Sequence, residues 1–290
     1  MKVKCLLFFI FPIIAFSAEI FNETFYFQPS WYQTFEVKEV LFHEKNELQD
    51  LIIFENEDFG RVLALDGIIQ TTEKDEFIYH EMLVHIPMMT HPKPKNILII
   101  GGGDGGSLRE VLRHETVEKV TMVEIDRSVI ELCEKYLPNH SQGAFHHEKA
   151  HIVIDDGAKF VRDTNEKFDV IICDSTDPIG PGEVLFDVPF YRDCFNCLNK
   201  GGLFVSQNGV PTIQADELEE SHAKLSLVFP EVHHFVAPIP TYVGGFMVFS
   251  LSSYQEVVKE PSRKLSIQNL KYHTEEIHRA SFALPRYISP

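Results

Sequence analysis

The first folded stretch, residues 19–72, alternates apolar and polar side chains with a period of two. That period is typical of strands with one buried face. Asp66-Gly67 lies between two apolar runs and is a strong hairpin signal, because both residues tolerate the backbone of a tight turn. The pattern predicts a small antiparallel β domain over residues 19–72. Its strands are predicted at Phe35–Phe42, Asp50–Glu55 and Arg61–Leu65.

The next stretch, Thr71–Met89, has the pattern of a helix. Thr72 is expected to cap it, with Asp75 and Glu76 in its first turn. The sequence His91-Pro92-Lys93-Pro94-Lys95 then forms a stiff connector. It separates the helix from a region with a different pattern of apolar and polar residues.

Beyond the connector, short apolar runs alternate with helical patterns. Repeated βα units imply an α/β fold: a Rossmann-like, doubly wound, mainly parallel sheet with helices on both faces. We assign this domain to residues 73–290. Its strands are predicted at Asn96–Ile100, Val120–Ile125, His151–Ile154, Phe168–Cys173 and Gly202–Gln207, its helices at Leu108–His114, Ser128–Tyr136 and Phe190–Leu198, and candidate edge strands at Phe246–Leu251 and His233–Ala237.

Residues 1–18 read MKVKCLLFFIFPIIAFSA, with two lysines, an apolar run and small residues at the end. This is the layout of a secretory signal peptide. The apolar run is shorter than the roughly 20 residues of a transmembrane helix, and Pro12 interrupts it. We therefore predict no stable membrane insertion. An apolar arm that docks on a partner subunit is the alternative.

Two of the five cysteines, Cys194 and Cys197, form a lone C-x-x-C. A zinc site of this kind needs a second pair of ligands, and none is spaced to supply it. Both residues fall in an amphipathic helical pattern, and Cys133 and Cys173 fall in apolar runs. The cysteines predict buried core positions, with no metal site and no disulfide framework.

The 290 residues include 26 Lys+Arg and 43 Asp+Glu, for a formal net charge of −17. Binding to nucleic acid or to an anionic membrane requires basic surface, so this balance argues against both. The 44% hydrophobic content excludes a disordered chain. The charge favours cationic ligands, although an acidic surface that is merely solvated gives the same balance.

The first strand of the α/β region leads directly into the loop GGGDGG, residues 101–106. The glycines satisfy G-x-G-x-x-G between a strand and a helix, where they allow a tight turn and close approach to a ligand. Asp104 lies within this loop. Its carboxylate would repel the pyrophosphate that a helix N-terminus otherwise attracts. The loop therefore favours a ligand without phosphates, preferably a cationic one.

Carboxylates follow each of the next three strands, at the end where open α/β sheets bind ligands. Glu124 is placed to accept hydrogen bonds from ribose hydroxyls, and Asp156 to meet the exocyclic amine of a base. Asp174 and Asp177 flank a turn rich in proline and glycine. With Asp104, these acids would repel one another unless a cation lies among them. No histidine or cysteine spacing supports a metal, so an organic ammonium or sulfonium group fits better.

The motifs GGGDGG, TMVEID, IDDG and DSTDPIGPGE, with Ile239-Pro-Thr-Tyr242, together resemble the polyamine aminopropyltransferases, closest to the bacterial type of spermidine synthase. Upstream, LQDLIIF and LDGIIQTTEKDEFIYHEM are also similar to that family. The resemblance spans about residues 20–288. It implies an N-terminal β domain, a domain like the class I methyltransferases, and a homodimer or higher homo-oligomer in the cytoplasm. The leader leaves export open.

The resemblance also implies the substrates. Decarboxylated S-adenosylmethionine would act as co-substrate with putrescine, without a further cofactor, to give spermidine and 5′-methylthioadenosine. Asp174 is expected to be the general base, helped by Tyr79. The donor would be bound by Gln49, Asp104, Glu124, Asp156, Gly157 and Pro181, and putrescine by Tyr79, His80, Asp174, Asp177 and Tyr242.

Other functions remain open from the residues alone. Cadaverine or spermidine would need only a slightly longer acceptor pocket, and a methylene contributes about 1–3 kcal/mol to selectivity. An S-adenosylmethionine-dependent amine N-methyltransferase would share the fold. A non-catalytic polyamine-binding protein would also keep the fold, but it would not need all of the carboxylates.

Overall fold

The computed structural model describes residues 19–23, 31–257 and 259–288. The predicted leader, residues 1–18, lies outside these ranges. Within them, no helix combines the length and the apolar character needed to cross a bilayer.

The N-terminal part of the chain forms two antiparallel sheets. A two-stranded sheet pairs β1 (Glu19–Glu23) with β2 (Gln33–Val37). A four-stranded sheet follows in chain order, with strands β3 (Glu39–Lys45), β4 (Asp50–Asn56), β5 (Gly60–Leu65) and β6 (Ile68–Thr72). The predicted hairpin between β5 and β6 is confirmed, because Asp66 (φ 50°) and Gly67 (φ 82°) both adopt the left-handed backbone that such a turn requires.

The prediction of one strand over Phe35–Phe42 was wrong, because this segment contributes to two strands. The change occurs at Lys38, between β2 and β3. The backbone N–H of Lys38 donates to the carbonyl of Glu55 at 2.8 Å, so the chain leaves its partner β1 and joins β4. Two charged residues, Lys38 and Glu39, are adjacent at the change of partner, so the period of two breaks there.

Helix α1 (Glu76–Thr90) begins later than predicted. Thr71 and Thr72 still pair with β5, and the Thr72 hydroxyl donates to the Asp75 carboxylate at 2.6 Å instead of capping the helix. Asp75 is the N-cap residue, but its side chain makes no capping bond, because its other oxygen accepts the backbone N–H of Thr241 at 2.8 Å. The boundary predicted at residue 72 lies between β6 and α1, and the division into domains stays a prediction.

The central sheet has seven strands in the order β12-β13-β11-β10-β7-β8-β9. The neighbours from β11 to β9 are parallel, and β13 is antiparallel to both of its neighbours. The predicted α/β class is confirmed, and the two predicted additional strands, β12 and β13, extend the sheet at one edge. The strands are β7 (Asn96–Gly101), β8 (Lys119–Glu124), β9 (Ala150–Ile154), β10 (Phe168–Asp174), β11 (Leu198–Gln207), β12 (Glu231–Ala237) and β13 (Met247–Ser253).

Helices cover both faces of this sheet. Along β7, Ile97 and Ile99 pack with α1 on one face, whereas Leu98 and Ile100 pack with α6 on the other. The remaining helices are α2 (Gly106–Leu112), α3 (Arg127–Tyr136), α4 (Pro138–Ser141), α5 (Gly157–Asp163), α6 (Val188–Cys197), α7 (Ala215–Ser226) and α8 (Glu275–Ser281), and short 3-10 helices span Ala144–His146 and Gly180–Phe186.

The predicted burial of the cysteines is confirmed. Cys133, Cys173, Cys194 and Cys197 are free thiols in the core, and the last two lie in α6.

The strand order reverses beside β7. The chain continues to β8 and β9 on one side, whereas β10 and β11 lie on the other. The carboxyl ends of β7 and β10 therefore border a crevice, which is where open α/β sheets hold their ligands.

Candidate active site

A single cleft at this crevice contains every site residue that the sequence predicted. Its walls come from both N-terminal sheets, the ends of β7 to β10 and the segment after β12. The predicted residues that line it are Gln49, Tyr79, His80, Asp104, Glu124, Asp156, Gly157, Asp174, Asp177, Pro181 and Tyr242. Their individual roles stay predictions.

The glycine loop brings the end of β7 against the end of β10. Gly101, Gly102 and Gly105 have φ values of 81°, 74° and 82°, and the N–H of Gly102 donates to the carbonyl of Asp174 at 2.8 Å. A Cβ on Gly101 would lie 2.1 Å from that same oxygen. Only glycine fits so close an approach, and the loop thereby fixes the backbone of Asp174.

Asp174 is half-buried with an asymmetric set of contacts. The Tyr79 hydroxyl donates to its Oδ1 at 2.8 Å, and its Oδ2 has no hydrogen-bond partner among the described residues. Burial raises the pKa of Asp174; the charge of His80 opposes this rise, and the neighbouring Asp104 carboxylate adds to it. Burial also raises the pKa of Tyr79 well above its usual value, so the phenol stays a donor. One carboxylate oxygen is therefore available to receive a proton.

The ring of His80 lies between two carboxylates. Its Nδ1 is 2.6 Å from Glu76 Oε2, and its Nε2 is 3.3 Å from Asp104 Oδ2. Burial alone would lower the pKa of His80, but Asp104 and Glu76 outweigh it and raise the pKa well above the usual value. His80 is thus held as an imidazolium, with its Nδ1 hydrogen-bonded to Glu76 and its Nε2 in an ion pair with Asp104. Asp104 is held at its other oxygen by the N–H of Gly106 at 2.7 Å.

Glu124 and Asp156 line the cleft at the neighbouring strand ends. Burial raises the pKa of Glu124 to about 7, although its Oε1 accepts the N–H of Asp126 at 2.9 Å. Asp156 Oδ1 accepts the N–H groups of Ala158 and Lys159 at the start of α5. Asp156 therefore caps a helix as well as facing the cleft.

Gln49 reaches the same end of the cleft from the four-stranded sheet. Its Nε2 donates to Asp126 Oδ2 at 2.8 Å, and Asn46 donates to the same oxygen at 2.7 Å. These bonds hold Gln49 on the cleft that Glu124 also lines.

The opposite end of the cleft contains residues that the sequence did not single out. Gln207, at the end of β11, donates to Asp177 Oδ1 at 3.1 Å. Glu23 on β1 accepts the N–H of Ile69 and the Nε2 of Gln33, each at 2.8 Å. Burial raises the pKa of Glu23 to about 7, and Asp177 adds to the rise. Both carboxyl groups therefore face one enclosed space.

A long-range bond closes this end. The side chain of Gln33 donates to the carbonyl of Thr241 at 2.8 Å, which ties the β1–β2 hairpin to the segment that carries Tyr242. The Tyr242 ring meets Tyr79 edge-on, with ring centres 6.0 Å apart. Aromatic walls and carboxylates together suit an apolar chain with cationic ends. The described residues contain no cluster of three or more His, Cys, Asp or Glu side chains suited to a metal ion.

The sequence matches two known domains. The model of the "Spermine/spermidine synthase domain" covers residues 76–261, and that of the "Spermidine synthase tetramerisation domain" covers residues 21–73. The chain is 52% identical over 273 residues to a polyamine aminopropyltransferase of Pectobacterium carotovorum, with 89% of this chain and 95% of that protein covered. A polyamine aminopropyltransferase of Klebsiella pneumoniae is 52% identical over 276 residues, with 90% and 96% covered.

Solved structures agree with the sequence comparison. A spermidine synthase in complex with the transition-state analogue AdoDATO superposes with a TM-score of 0.89 at 42% identity, covering 93% of each chain. A spermidine synthase from Thermotoga maritima superposes with a TM-score of 0.88 at 41% identity, covering 94% of this chain and 93% of that one. The chain therefore belongs to the spermine/spermidine synthase family of polyamine aminopropyltransferases, and it is a transferase.

Proposed function

We propose that the protein transfers the aminopropyl group of decarboxylated S-adenosylmethionine to putrescine, giving spermidine and 5′-methylthioadenosine. The observation that carries this proposal is the cleft, where carboxylates from four neighbouring parallel strands face one space. The donor is a sulfonium with an amine tail, and the acceptor is a diamine, so both substrates are cationic. The names of the relatives support the same reaction.

The nucleoside is placed at the end of the cleft that holds Gln49. Glu124 accepts the ribose hydroxyls, and Asp156 with Gly157 meets the adenine edge. Pro181, in the 3-10 helix over the cleft, packs against the base. The amine tail of the donor then extends towards Asp104. A carboxylate there attracts an amine and repels the carboxylate that the ordinary methyl donor carries.

Putrescine occupies the opposite end. Tyr79 and Tyr242 flank its methylene chain, and Asp174 meets the attacking nitrogen. Asp177 and Glu23 are placed to bind the distal ammonium, with Gln207 orienting Asp177. His80 lies at the junction of the two substrates, where it contacts Asp104.

The chemical step is a displacement at carbon. Asp174 first removes a proton from one ammonium of putrescine, which leaves a lone pair on that nitrogen. The lone pair attacks the methylene carbon next to the sulfonium sulfur, and the carbon–sulfur bond breaks with its electron pair moving to sulfur. The products are a neutral thioether and a secondary ammonium, and Asp174 passes its proton to water. The raised pKa of Asp174 makes it a stronger base for this step.

The proposal also covers the oligomeric state of the protein and its location in the cell. The match to a tetramerisation domain supports a homo-oligomer of this chain. We propose the cytoplasm as its location, and no cofactor beyond the co-substrate.

The reaction is tested by incubating the purified protein with decarboxylated S-adenosylmethionine and putrescine. Mass spectrometry should detect spermidine and 5′-methylthioadenosine in equal amounts. Parallel reactions with cadaverine and with spermidine as acceptors measure selectivity. If the protein forms methylputrescine from S-adenosylmethionine and no spermidine from the decarboxylated donor, the proposal is wrong. The protein would then be an amine methyltransferase.

Binding of 5′-methylthioadenosine should depend on pH through Glu124. The ribose favours the carboxylate, so affinity should fall by up to about tenfold for each pH unit below 7 and level off above about 8. Binding near pH 7 should lower the pKa of Glu124 and release a proton. Calorimetry in two buffers of different ionisation enthalpy measures both effects.

The Glu124→Gln variant provides the comparison for this prediction. It should bind 5′-methylthioadenosine weakly and without this pH dependence. An affinity of the unaltered protein that stays constant from about pH 5.5 to pH 8 would contradict the assignment.

A further inference from the structure

A chain of buried charges runs from the cleft into the protein behind it. Asp104 contacts His80, and His80 contacts Glu76 at 2.6 Å. Arg109 then donates to both oxygens of Glu76, at 3.2 and 2.9 Å. Its Nε donates to Glu110 at 2.8 Å. Signs alternate along this chain, so each charge is compensated by its neighbours.

Glu76 lies between His80 and Arg109 in this chain of charges. It is the second carboxylate on His80, and its own side chain is only 9% exposed. Arg109 is fixed on the far side, because it also donates to the backbone carbonyl groups of Asn139 and His140. Neither Glu76 nor Arg109 has a part in the proposed chemistry. Their burial and bidentate contact nevertheless hold the ring of His80 against Asp104.

We propose that Glu76 is a positioning residue, which acts through His80 to keep a constant negative charge beside the amine tail of the donor. The inference rests on the proposed function, because that function places the tail at Asp104. With Glu76 present, one imidazolium is shared between two carboxylates, so Asp104 keeps part of its negative charge. Without the Glu76 charge, the His80–Asp104 pair is neutral whenever His80 is protonated.

The other titratable and charged groups near His80 determine whether the loss of Glu76 weakens or strengthens binding of the amine tail. Arg109 compensates Glu76 and lies beyond it. Burial lowers the pKa of His140, whose ring centre is 6.3 Å from that of His80, and so favours the uncharged form of His140. The groups that face His80 are Glu76 and Tyr79 from α1, Asp104 from the glycine loop, His140 from α4 and Asp174 from β10.

The test compares donor with product. Decarboxylated S-adenosylmethionine carries the charged tail, and 5′-methylthioadenosine lacks it. The ratio of their dissociation constants therefore isolates the tail and cancels the contribution of Glu124. Calorimetry measures this ratio from about pH 6 to pH 9 for the unaltered protein, for Glu76→Gln and for the exposed control Glu118→Gln.

We expect the preference for the tailed donor over 5′-methylthioadenosine to depend on pH in Glu76→Gln. At pH 6, Glu76→Gln should lose about tenfold in preference for the tailed donor, while its affinity for 5′-methylthioadenosine stays within about twofold. The preference should recover towards pH 9 as His80 loses its proton. The imidazole resonance of His80, assigned from a His80→Gln spectrum, should titrate at lower pH than in the unaltered protein. Glu118→Gln should behave as the unaltered protein does.

Equal tail preference in Glu76→Gln and the unaltered protein at pH 6 would overturn the inference. A protein that binds both ligands equally before any substitution would instead contradict the proposed donor site, so the two failures are distinguishable. If Glu76→Gln does not fold, the double variant Glu76→Gln with Arg109→Gln is measured in the same way, because it removes the cation that would be left without its partner.

Discussion

Replacing Asp174 with asparagine should lower kcat by about a thousandfold, within the range of about 10² to 10⁴ for a lost general base. The amide keeps the shape of the carboxyl group and its contact with Tyr79, but it does not accept a proton from an ammonium. The nucleoside lies at the other end of the cleft, so binding of 5′-methylthioadenosine should change by less than about threefold.

Initial rates by mass spectrometry and binding by calorimetry measure the two effects together. Asp155→Asn is the matched control, because Asp155 directly follows β9 at the same end of the sheet and pairs with Lys159 at the surface. It should retain nearly full activity. A rate for Asp174→Asn within tenfold of the unaltered enzyme would exclude Asp174 as the base, and a parallel loss of nucleoside binding would point to general damage instead.

Replacing Gly101 with alanine should destabilise the protein by about 2–5 kcal/mol. The left-handed backbone costs an alanine about 1–2 kcal/mol. The added Cβ would lie 2.1 Å from the Asp174 carbonyl. Backbone must shift to accept it, which costs a further 1–3 kcal/mol or so. Because the shift moves Asp174 itself, activity should fall as well.

Gly143→Ala separates the two contributions. Gly143 has the same φ of 81°, but nothing lies within 4 Å of its Cβ position. Urea unfolding should therefore show a loss of only about 1–2 kcal/mol for Gly143→Ala. Equal losses for the two variants would mean that the contact with Asp174 adds nothing, and the close packing of β7 on β10 would lose its explanation.

The fold was predictable where local pattern and topology agree. Apolar runs of strand length followed by helical patterns fix a parallel sheet, and parallel strands necessarily align their carboxyl ends. Glu124, Asp156 and Asp174 follow such runs directly, and the structure places all three on one cleft. A carboxylate inside a glycine loop, as at Asp104, is visible without any structure.

Residues that reach the cleft from distant segments were not predictable in this way. Glu23 lies on a strand whose alternation is ordinary, and only pairing with β2 and contact with Ile69 bring it to the cleft. Glu76 was expected as a first-turn acid of a helix, which is its local role. The sequence holds no signal that Arg109, 33 residues later, contacts it. The start of α1 was misplaced for the same reason, because Asp75 is held by Thr241.

The bond from Gln33 to Thr241 spans 208 residues of chain. The ribosome releases strands β1 and β2 early in synthesis. It releases the segment around Thr241 only after most of the chain has been made. The parallel core from β7 to β10 precedes that moment, so a nascent chain can shape the nucleoside end of the cleft before the diamine end is closed. The complete cleft therefore forms late in synthesis, when Gln33 can bond to Thr241.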